Sequence, residues 1–293
     1  MSPERVFGRS LSLPVLMWNT FWAKPPAASS LISYPTLQMY GKIAGGPLHK
    51  FSSNSDPCWL VVSCHLFMNV AIIAAAGSGS RMGGKRPKQF LELAGVPIIF
   101  HALMAFERCD AVHQIVTVLS AGEVADFLSI AKEHGIQKLV AVVPGGETRA
   151  ASVLQGLRAV ESETEVVAVH DGVRPFVTSE EIARTVQAAK LEGAAILVST
   201  PVDTIKEVND GVVARTLDRC TIRYALTPQC FDYKLLRRAY EQVDVSDASF
   251  TDEASVVERL GVKIVTVEGS ARNIKITRPE DLVIAEAILK NWK

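Results

Sequence analysis

Short apolar runs alternate with amphipathic segments along the chain from residue 70 onwards. The runs are rich in valine, isoleucine and alanine, which predicts strands at 70–76, 114–119, 138–143, 166–169, 194–199 and 262–267. Between them, apolar residues recur three and four positions apart, which predicts helices at 97–109, 124–134, 149–160, 180–191, 235–243 and 279–291. This alternation predicts an α/β fold with a mostly parallel, doubly wound sheet, because continuous apolar runs suit strands that helices cover on both faces.

One stretch departs from this alternation and is predicted to be an arm over about 203–226. Polar and apolar residues alternate on either side of Asn209, Asp210 and Gly211, which is typical of a β-hairpin. A hairpin inserted into an α/β domain protrudes and exposes its edges. A second copy of the chain would cover those edges, and a solvated surface hairpin is the alternative.

The first 67 residues differ in composition from the rest. They hold two acidic residues, seven of the fourteen prolines and three of the four tryptophans, and they lack a sustained apolar period. We predict that 1–67 is an N-terminal extension, disordered or not part of the functional protein, and that 68–293 is the catalytic domain. Upstream sequence before a start at Met68 is the favoured interpretation. A transit peptide is the alternative, because the segment is acid-poor and serine-rich, although it is not arginine-rich.

Charge and cysteine content narrow the class of protein further. The formal net charge is zero, so nucleic acid is not an expected partner. The apolar stretch 58–76 is not expected to span a membrane, because its second half supplies the first predicted strand. The five cysteines form no CxxC or zinc spacing, which is typical of reduced thiols and predicts a cytoplasmic location, or a plastid one if 1–67 is a transit peptide.

A glycine-rich loop that follows the first predicted strand carries most of the chemistry. Backbone N–H groups in such a loop, together with Arg81 and Lys88, form a cradle for a polyphosphate. A dinucleotide-binding loop is disfavoured because Met82 replaces the third glycine, and a Walker A loop is disfavoured because Arg86 replaces the hydroxyl residue. The nucleotidyltransferase pattern A-A-G-x-G-x-R-M, followed by P-K-Q, is present in full between Ala75 and Gln89.

With its other motifs, the chain resembles the 2-C-methyl-D-erythritol 4-phosphate cytidylyltransferase family over about 68–293. These motifs are G-G-E-T-R with Ser152, H-D-G-V-R-P, T-L-D-R, L-T-P-Q, T-D-E-A-S and N-I-K-I-T-R-P-E-D, and they lie at 145–152, 170–175, 216–219, 226–229, 251–255 and 273–281. The resemblance implies a nucleotidyltransferase Rossmann-like sheet and a homodimer in which the arm clasps the partner. It also implies transfer of the cytidylyl group of CTP to methylerythritol phosphate, with release of pyrophosphate.

The resemblance also implies roles for individual residues. Arg81 and Lys88 stabilise the transition state at the α-phosphate, an assignment that the loop itself also favours. Lys275 and Arg219 hold the acceptor phosphate, and Arg219 reaches the site from the partner's arm. The residues expected to bind the substrates are Ala75, Ala76, Gly77, Gly146, Ser152, Asp171, Thr204 and Thr251. Of these, Gly146 and Ser152 are expected to contact cytosine, with Arg149 positioning their loop, while Asp171, Thr204 and Thr251 face the acceptor.

A divalent metal, Mg²⁺, is expected to bind mainly through the CTP phosphates, with no protein residue assigned as a ligand. His170 is predicted to be structural, because a phosphate nucleophile is already ionised and needs no base. Three alternative functions remain open: a ribitol 5-phosphate cytidylyltransferase, a nucleotide-binding regulatory protein and an NAD-dependent oxidoreductase. The intact set of cations disfavours the regulatory protein, and Met82 disfavours the oxidoreductase.

Overall fold

The computed structural model describes residues 68–77 and 87–292. The predicted extension 1–67 and the predicted catalytic Arg81 lie outside the described residues. The strands of the described part are β1 Met68–Ala75, β2 Glu92–Leu93, β3 Val96–Pro97, β4 Gln114–Leu119, β5 Leu139–Pro144, β6 Thr164–Asp171, β7 Ala194–Ser199, β8 Lys206–Asn209, β9 Val212–Thr216, β10 Tyr224–Asp232 and β11 Val265–Glu268. The helices are α1 Ile98–Glu107, α2 Phe127–Glu133, α3 Arg149–Arg158, α4 Ser179–Glu192, α5 Tyr233–Glu241, α6 Glu253–Glu258 and α7 Pro279–Lys290.

Within the described residues, seven strands form the central sheet in the order β11-β7-β10-β6-β1-β4-β5. All neighbours in this sheet are parallel except β10, which runs antiparallel to both β6 and β7. The strands β4 and β7 have the predicted bounds, and the predicted α/β architecture with a mostly parallel sheet is confirmed.

Helices cover both faces of the sheet, as the alternation of side chains along β1 illustrates. Ala71, Ile73 and Ala75 belong to one buried cluster, which includes side chains of α1, α2 and α4. Val70 and Ile72 belong to a second cluster, which includes side chains of α3, α5 and α6. Because successive residues of a strand point to opposite faces, a strand that is apolar throughout is buried on both sides.

The strand β10 was not predicted from the sequence. Pro228 interrupts its apolar run, and a proline inside a run argues against an interior strand because it cannot donate to the ladder. The structure accommodates Pro228 with a register shift between Ala225 and Gln229 against β7. Tyr224 and Ala225, at the end of the predicted arm, already belong to β10 and pair with Ser199 and Val198 of β7.

The arm contains the antiparallel pair β8 and β9, so the predicted hairpin is confirmed. Asp210 and Gly211 both have positive φ, as the two central residues of a type I′ turn require. Val208, Val212 and Val213 are exposed on this hairpin in the single chain. Contact between this arm and a second copy remains a prediction.

The last helix illustrates how the sequence sets a helix start. Pro279 occupies the first turn of α7, and Oδ2 of Asp281 accepts hydrogen bonds from the backbone N–H groups of Thr277 and Arg278 at 2.7 and 2.8 Å. These are the start signals expected from proline and acidic residues in a first turn. In the part of the chain that the structure describes, none of the helices has the length and apolar character needed to cross a membrane.

Candidate active site

A cleft of about 400 Å³ lies where β1 and β6 end. Its lining residues come from several separate sequence motifs and are Ala74, Ala75, Ala76, Gly77, Lys88, Gln89, Gly146, Glu147, Thr148, Arg149, Ser152, Asp171, Val173 and Lys275. The cleft brings together eight of the predicted site residues: Ala75, Ala76, Gly77, Lys88, Gly146, Ser152, Asp171 and Lys275. Its position beyond the carboxyl ends of parallel strands is the usual ligand site of an open α/β sheet.

The first strand and the turn after Pro87 form one wall of the cleft. Gly77 is exposed two residues after the end of β1, and Lys88 begins a short 3-10 helix, Lys88–Phe90. Gln89 is 1% exposed, and its Nε2 has no hydrogen-bond partner within the described residues. This wall therefore presents backbone and a lysine to the cleft, which suits an anionic ligand.

The loop before α3 forms a second wall and is held by its own hydroxyl groups. Ser152 Oγ accepts from the N–H of Gly146 at 3.1 Å and donates to the carbonyl of Thr148 at 2.9 Å. Thr148 Oγ1 in turn caps α3 by accepting from the N–H of Ala151 at 3.0 Å. Ser152 thus fixes the shape of the loop, while its contact with cytosine remains a prediction.

Asp171, the last residue of β6, lies at the centre of a cluster of cations. Its Oδ2 is 2.9 Å from Lys275 Nζ and 3.4 Å from Arg174 Nε, and its Oδ1 is 3.2 Å from Arg149 Nη2. Burial would raise the pKa of the Asp171 carboxyl, but Arg149, Lys275 and Arg174 together hold that pKa well below its ordinary value. Asp171 is therefore an ionised carboxylate throughout the physiological range.

Arg149 joins Asp171 to a second buried carboxylate. Its Nη1 is 2.6 Å from Glu253 Oε1 and its Nη2 is 2.9 Å from Glu253 Oε2, so the pair is bidentate. Burial would lower the pKa of Arg149, but the carboxylates of Glu253 and Asp171 outweigh it and raise that pKa. The hydroxyl of Tyr240 lies 3.4 Å from Glu253 Oε1 and completes the chain of contacts.

His170 is completely buried beside this cluster and is not among the residues that line the cleft, and its structural role stays a prediction. Its Nε2 lies 3.1 Å from the carbonyl oxygen of Arg174, so Nε2 must carry the proton. Its Nδ1 then accepts from Thr227 Oγ1 at 2.9 Å, and the same hydroxyl accepts from the N–H of Asp171 at 3.2 Å. Burial lowers the pKa of His170 to about 4, so the ring is neutral at physiological pH.

Of the predicted site residues that the structure describes, three are not among those that line the cleft. Arg219, Thr204 and Thr251 are exposed, and Arg219 Nη1 donates to the carbonyl oxygen of Val202 at 2.7 Å. Arg219 and Thr204 lie in the arm, on either side of the hairpin strands β8 and β9, and neither lines the cleft that contains Asp171.

Sequence reasoning missed the pairing roles of Arg149, Arg174 and Glu253. Each of the three lies inside one of the family motifs, but its partner is distant in sequence or is expected to have another role. Glu253, for example, is 104 residues from Arg149. The sequence signal for these residues is that each is a charged residue within a motif. Only the fold shows which of them form ion pairs with one another.

The cleft offers two carboxylates that could contribute to a metal site, Glu147 and Asp171. The described residues hold no group of three or more His, Cys, Asp or Glu side chains placed to bind a metal ion. A magnesium ion that keeps water and phosphate oxygens as ligands needs only one or two protein carboxylates. The donor set therefore fits an ion held mainly by a bound triphosphate.

Two known proteins with similar sequences carry the same name. A relative named 2-C-methyl-D-erythritol 4-phosphate cytidylyltransferase from Pelotomaculum thermopropionicum is 46% identical over 222 residues, which cover 75% of this chain and 93% of the relative. A relative of the same name from Syntrophus aciditrophicus is 42% identical over 223 residues, which cover 75% of this chain and 95% of the relative.

Solved structures and a family model agree with these relatives. The crystal structure of 4-diphosphocytidyl-2C-methyl-D-erythritol synthase from Anaerococcus prevotii matches with a TM-score of 0.66 at 31% identity, covering 76% of this chain and 96% of that one. The 2-C-methyl-D-erythritol 4-phosphate cytidylyltransferase from Thermus thermophilus matches with a TM-score of 0.63 at 32% identity, covering 76% and 100%. The model of the family described as 2-C-methyl-D-erythritol 4-phosphate cytidylyltransferase (IspD) matches residues 69–291. The chain therefore belongs to the 2-C-methyl-D-erythritol 4-phosphate cytidylyltransferase family, and the resemblance carried by its motifs is confirmed.

Proposed function

We propose that this protein is a nucleotidyltransferase that joins CTP and 2-C-methyl-D-erythritol 4-phosphate. The products are 4-diphosphocytidyl-2-C-methyl-D-erythritol and pyrophosphate, and the reaction supplies isoprenoid precursors by the non-mevalonate route. The observation that carries the proposal is the cleft itself, which is lined by the end of β1 and Gly77, by Lys88 and by the Asp171–Lys275 pair in a chain of this family.

The reaction is an in-line substitution at phosphorus. A phosphate oxygen of the acceptor attacks the α-phosphorus of CTP, the new P–O bond forms, and the bond to the β-phosphate oxygen breaks with its electron pair leaving on pyrophosphate. The attacking phosphate is already ionised, so no general base is needed. Catalysis then consists of positioning two anions and stabilising the charge on the transferred group.

Cations supply that stabilisation in the proposed mechanism. Lys88 lines the cleft beside Gly77, where it can contact the phosphates of CTP. We assign Arg81, from the same loop, to the same α-phosphate. Lys275 Nζ, on the other side of the cleft, is assigned to the acceptor phosphate.

The acceptor half is proposed to be completed by a second chain. Asp171 would hold hydroxyl groups of the acceptor, with Thr251 nearby, and the partner's arm would bring Arg219 and Thr204. Exposure of the hairpin valines and of Arg219 in the single chain supports this arrangement, because a covered arm would bury an apolar surface. A homodimer with two shared active sites follows.

A divalent metal, Mg²⁺, is proposed to bind mainly through the CTP phosphates. When bound, it would neutralise part of the triphosphate charge and favour departure of pyrophosphate. Asp171 and Glu147 are the carboxylates of the described cleft that can approach it.

Pyrophosphate release by the full chain tests the proposal. CTP and magnesium are supplied with methylerythritol phosphate or with ribitol 5-phosphate in parallel. We expect turnover with methylerythritol phosphate alone. Turnover with ribitol 5-phosphate alone would overturn the acceptor assignment, and a folded protein silent with both would favour a regulatory nucleotide-binding role.

We also propose that 1–67 is dispensable for this chemistry and that the enzyme works in the cytoplasm. A chain starting at Met68 should then match the full chain in its kcat. A transit peptide would instead direct the full chain to a plastid, and fusion of 1–67 to a fluorescent reporter distinguishes the two locations.

A further inference from the structure

Glu253 is a fully buried carboxylate that the proposed chemistry does not use. It is 0% exposed, and its two oxygens bind the two terminal nitrogens of Arg149 at 2.6 and 2.9 Å. Its further contact is the hydroxyl of Tyr240 at 3.4 Å. Burying an ion pair contributes little net stability compared with an apolar replacement, so stability alone does not account for this choice of residues.

The pair connects the two substrate halves of the cleft. Arg149 is the first residue of α3, directly after the loop that contains Gly146, on the nucleotide side. Glu253 is the first residue of α6, two positions after Thr251, on the acceptor side. Arg149 also contacts Asp171: its Nε and Nη2 donate to Oδ1 of Asp171 at 3.4 and 3.2 Å, so Arg149 bridges Asp171 and Glu253.

This geometry restricts how Arg149 can bind Asp171. Because Glu253 engages both terminal nitrogens, the guanidinium faces only Oδ1 of Asp171, and Oδ2 stays with Lys275 and Arg174. Without the Glu253 charge, the guanidinium is free to turn and form a bidentate pair with both oxygens of Asp171. Lys275 would then lose its partner, and the acceptor would lose a carboxylate oxygen.

We propose that Glu253 is a positioning residue that acts through Arg149 to keep Asp171 and Lys275 in the arrangement that receives the acceptor. The inference rests on the proposed function and extends it to a residue that does not itself line the cleft. A change at Glu253 should therefore alter the KM for the acceptor, because Asp171 and Lys275 are assigned to that substrate.

Steady-state kinetics of the full-length E253Q variant test the proposal. The matched control is E165Q. Glu165 forms an ion pair with Lys190 at 2.7 Å, and it lies near the start of β6, at the end of that strand opposite to Asp171. We expect E253Q to raise KM for methylerythritol phosphate about tenfold, the change that loss of one charged hydrogen bond produces, with KM for CTP within about twofold of wild type. E165Q should leave both constants unchanged.

A double-mutant cycle with D171N separates positioning from a general structural effect. If Glu253 acts through Asp171, E253Q should lower kcat/KM about tenfold in the wild-type background and less than about twofold in the D171N background. Equal losses in the two backgrounds, or an E253Q acceptor KM equal to that of E165Q, would overturn the proposal.

A second variant guards against misfolding. R149K keeps the positive charge but lacks the fork that bridges two carboxylates, and it should show the same rise in acceptor KM. Failure of both E253Q and R149K to give a folded protein by circular dichroism would assign the pair to folding and overturn the proposal. Absence of turnover by the wild-type chain would instead refute the proposed function.

Discussion

Acidification should destabilise this protein through His170. The ring is completely buried and neutral, and burial lowers its pKa to about 4 from the ordinary value of 6.5. The unfolded chain therefore binds a proton at His170 near pH 6.5, whereas the folded chain binds it only near pH 4. The stability contributed by the neutral ring is present in full above pH 6.5 and is lost as the pH falls through this window.

The size of the effect follows from the same two values. The interval between 6.5 and about 4 is roughly 2.5 pH units, and each unit corresponds to about 1.4 kcal/mol, so the loss approaches about 3 kcal/mol. That is a large part of the total stability expected for a domain of this size. Asp171 does not contribute within this window in the folded chain, because its neighbours hold its pKa well below it.

Urea unfolding of wild type and H170Q over the range from about pH 7.5 to about pH 4 measures this loss. Glutamine has an amide that can donate to the Arg174 carbonyl and accept from Thr227, but it does not titrate. His101 also has a pKa lowered by burial, and comparing the two proteins cancels its contribution. Wild type should lose about 3 kcal/mol more than H170Q; equal losses would show that His170 is not held neutral.

Three further changes test other parts of the structure. K275M should lower kcat/KM for pyrophosphate release by about a hundredfold or more, because it removes a cation from the reacting phosphates, and a change below about threefold would contradict its assignment. Mixing D171N with R219A should restore roughly a quarter of wild-type activity if the site is shared between chains, because about half of the dimers are mixed and each mixed dimer has one intact site of two. No restoration would refute a shared site. G156A should cost about 1–2 kcal/mol in urea unfolding, because an added Cβ would lie 2.7 and 2.9 Å from side chains of β1 and β4, and a more stable variant would contradict that packing.

The central sheet could be predicted from the sequence because each of its parallel strands has a local sequence signal. Each is a short apolar run, and β4 and β7 have the bounds that their runs indicate. The strand β10 could not be predicted in this way, since Pro228 argues locally against a strand and only its neighbours β6 and β7 explain how it fits.

Most of the residues that line the cleft could be predicted from the sequence, but the ion pairs between their side chains could not. Ala75, Gly146 and Asp171 lie at or just after the ends of β1, β5 and β6, where parallel strands share one carboxyl edge. The bidentate pair of Arg149 and Glu253 crosses the fold between two helix starts. No local pattern specifies that contact, and it appears only when the sheet brings α3 and α6 together.

The charge arrangement around Asp171 explains how the cleft can hold several cations before any substrate arrives. Arg149, Arg174 and Lys275 would repel one another without the carboxylate they share. The side chains of Arg149 and Arg174 are 23% and 10% exposed, whereas that of Lys275 is 36% exposed. Because Lys275 is the most accessible of the three, it is the cation that could turn from Asp171 to the phosphate we propose it binds at the smallest cost, while the two arginines keep Asp171 ionised.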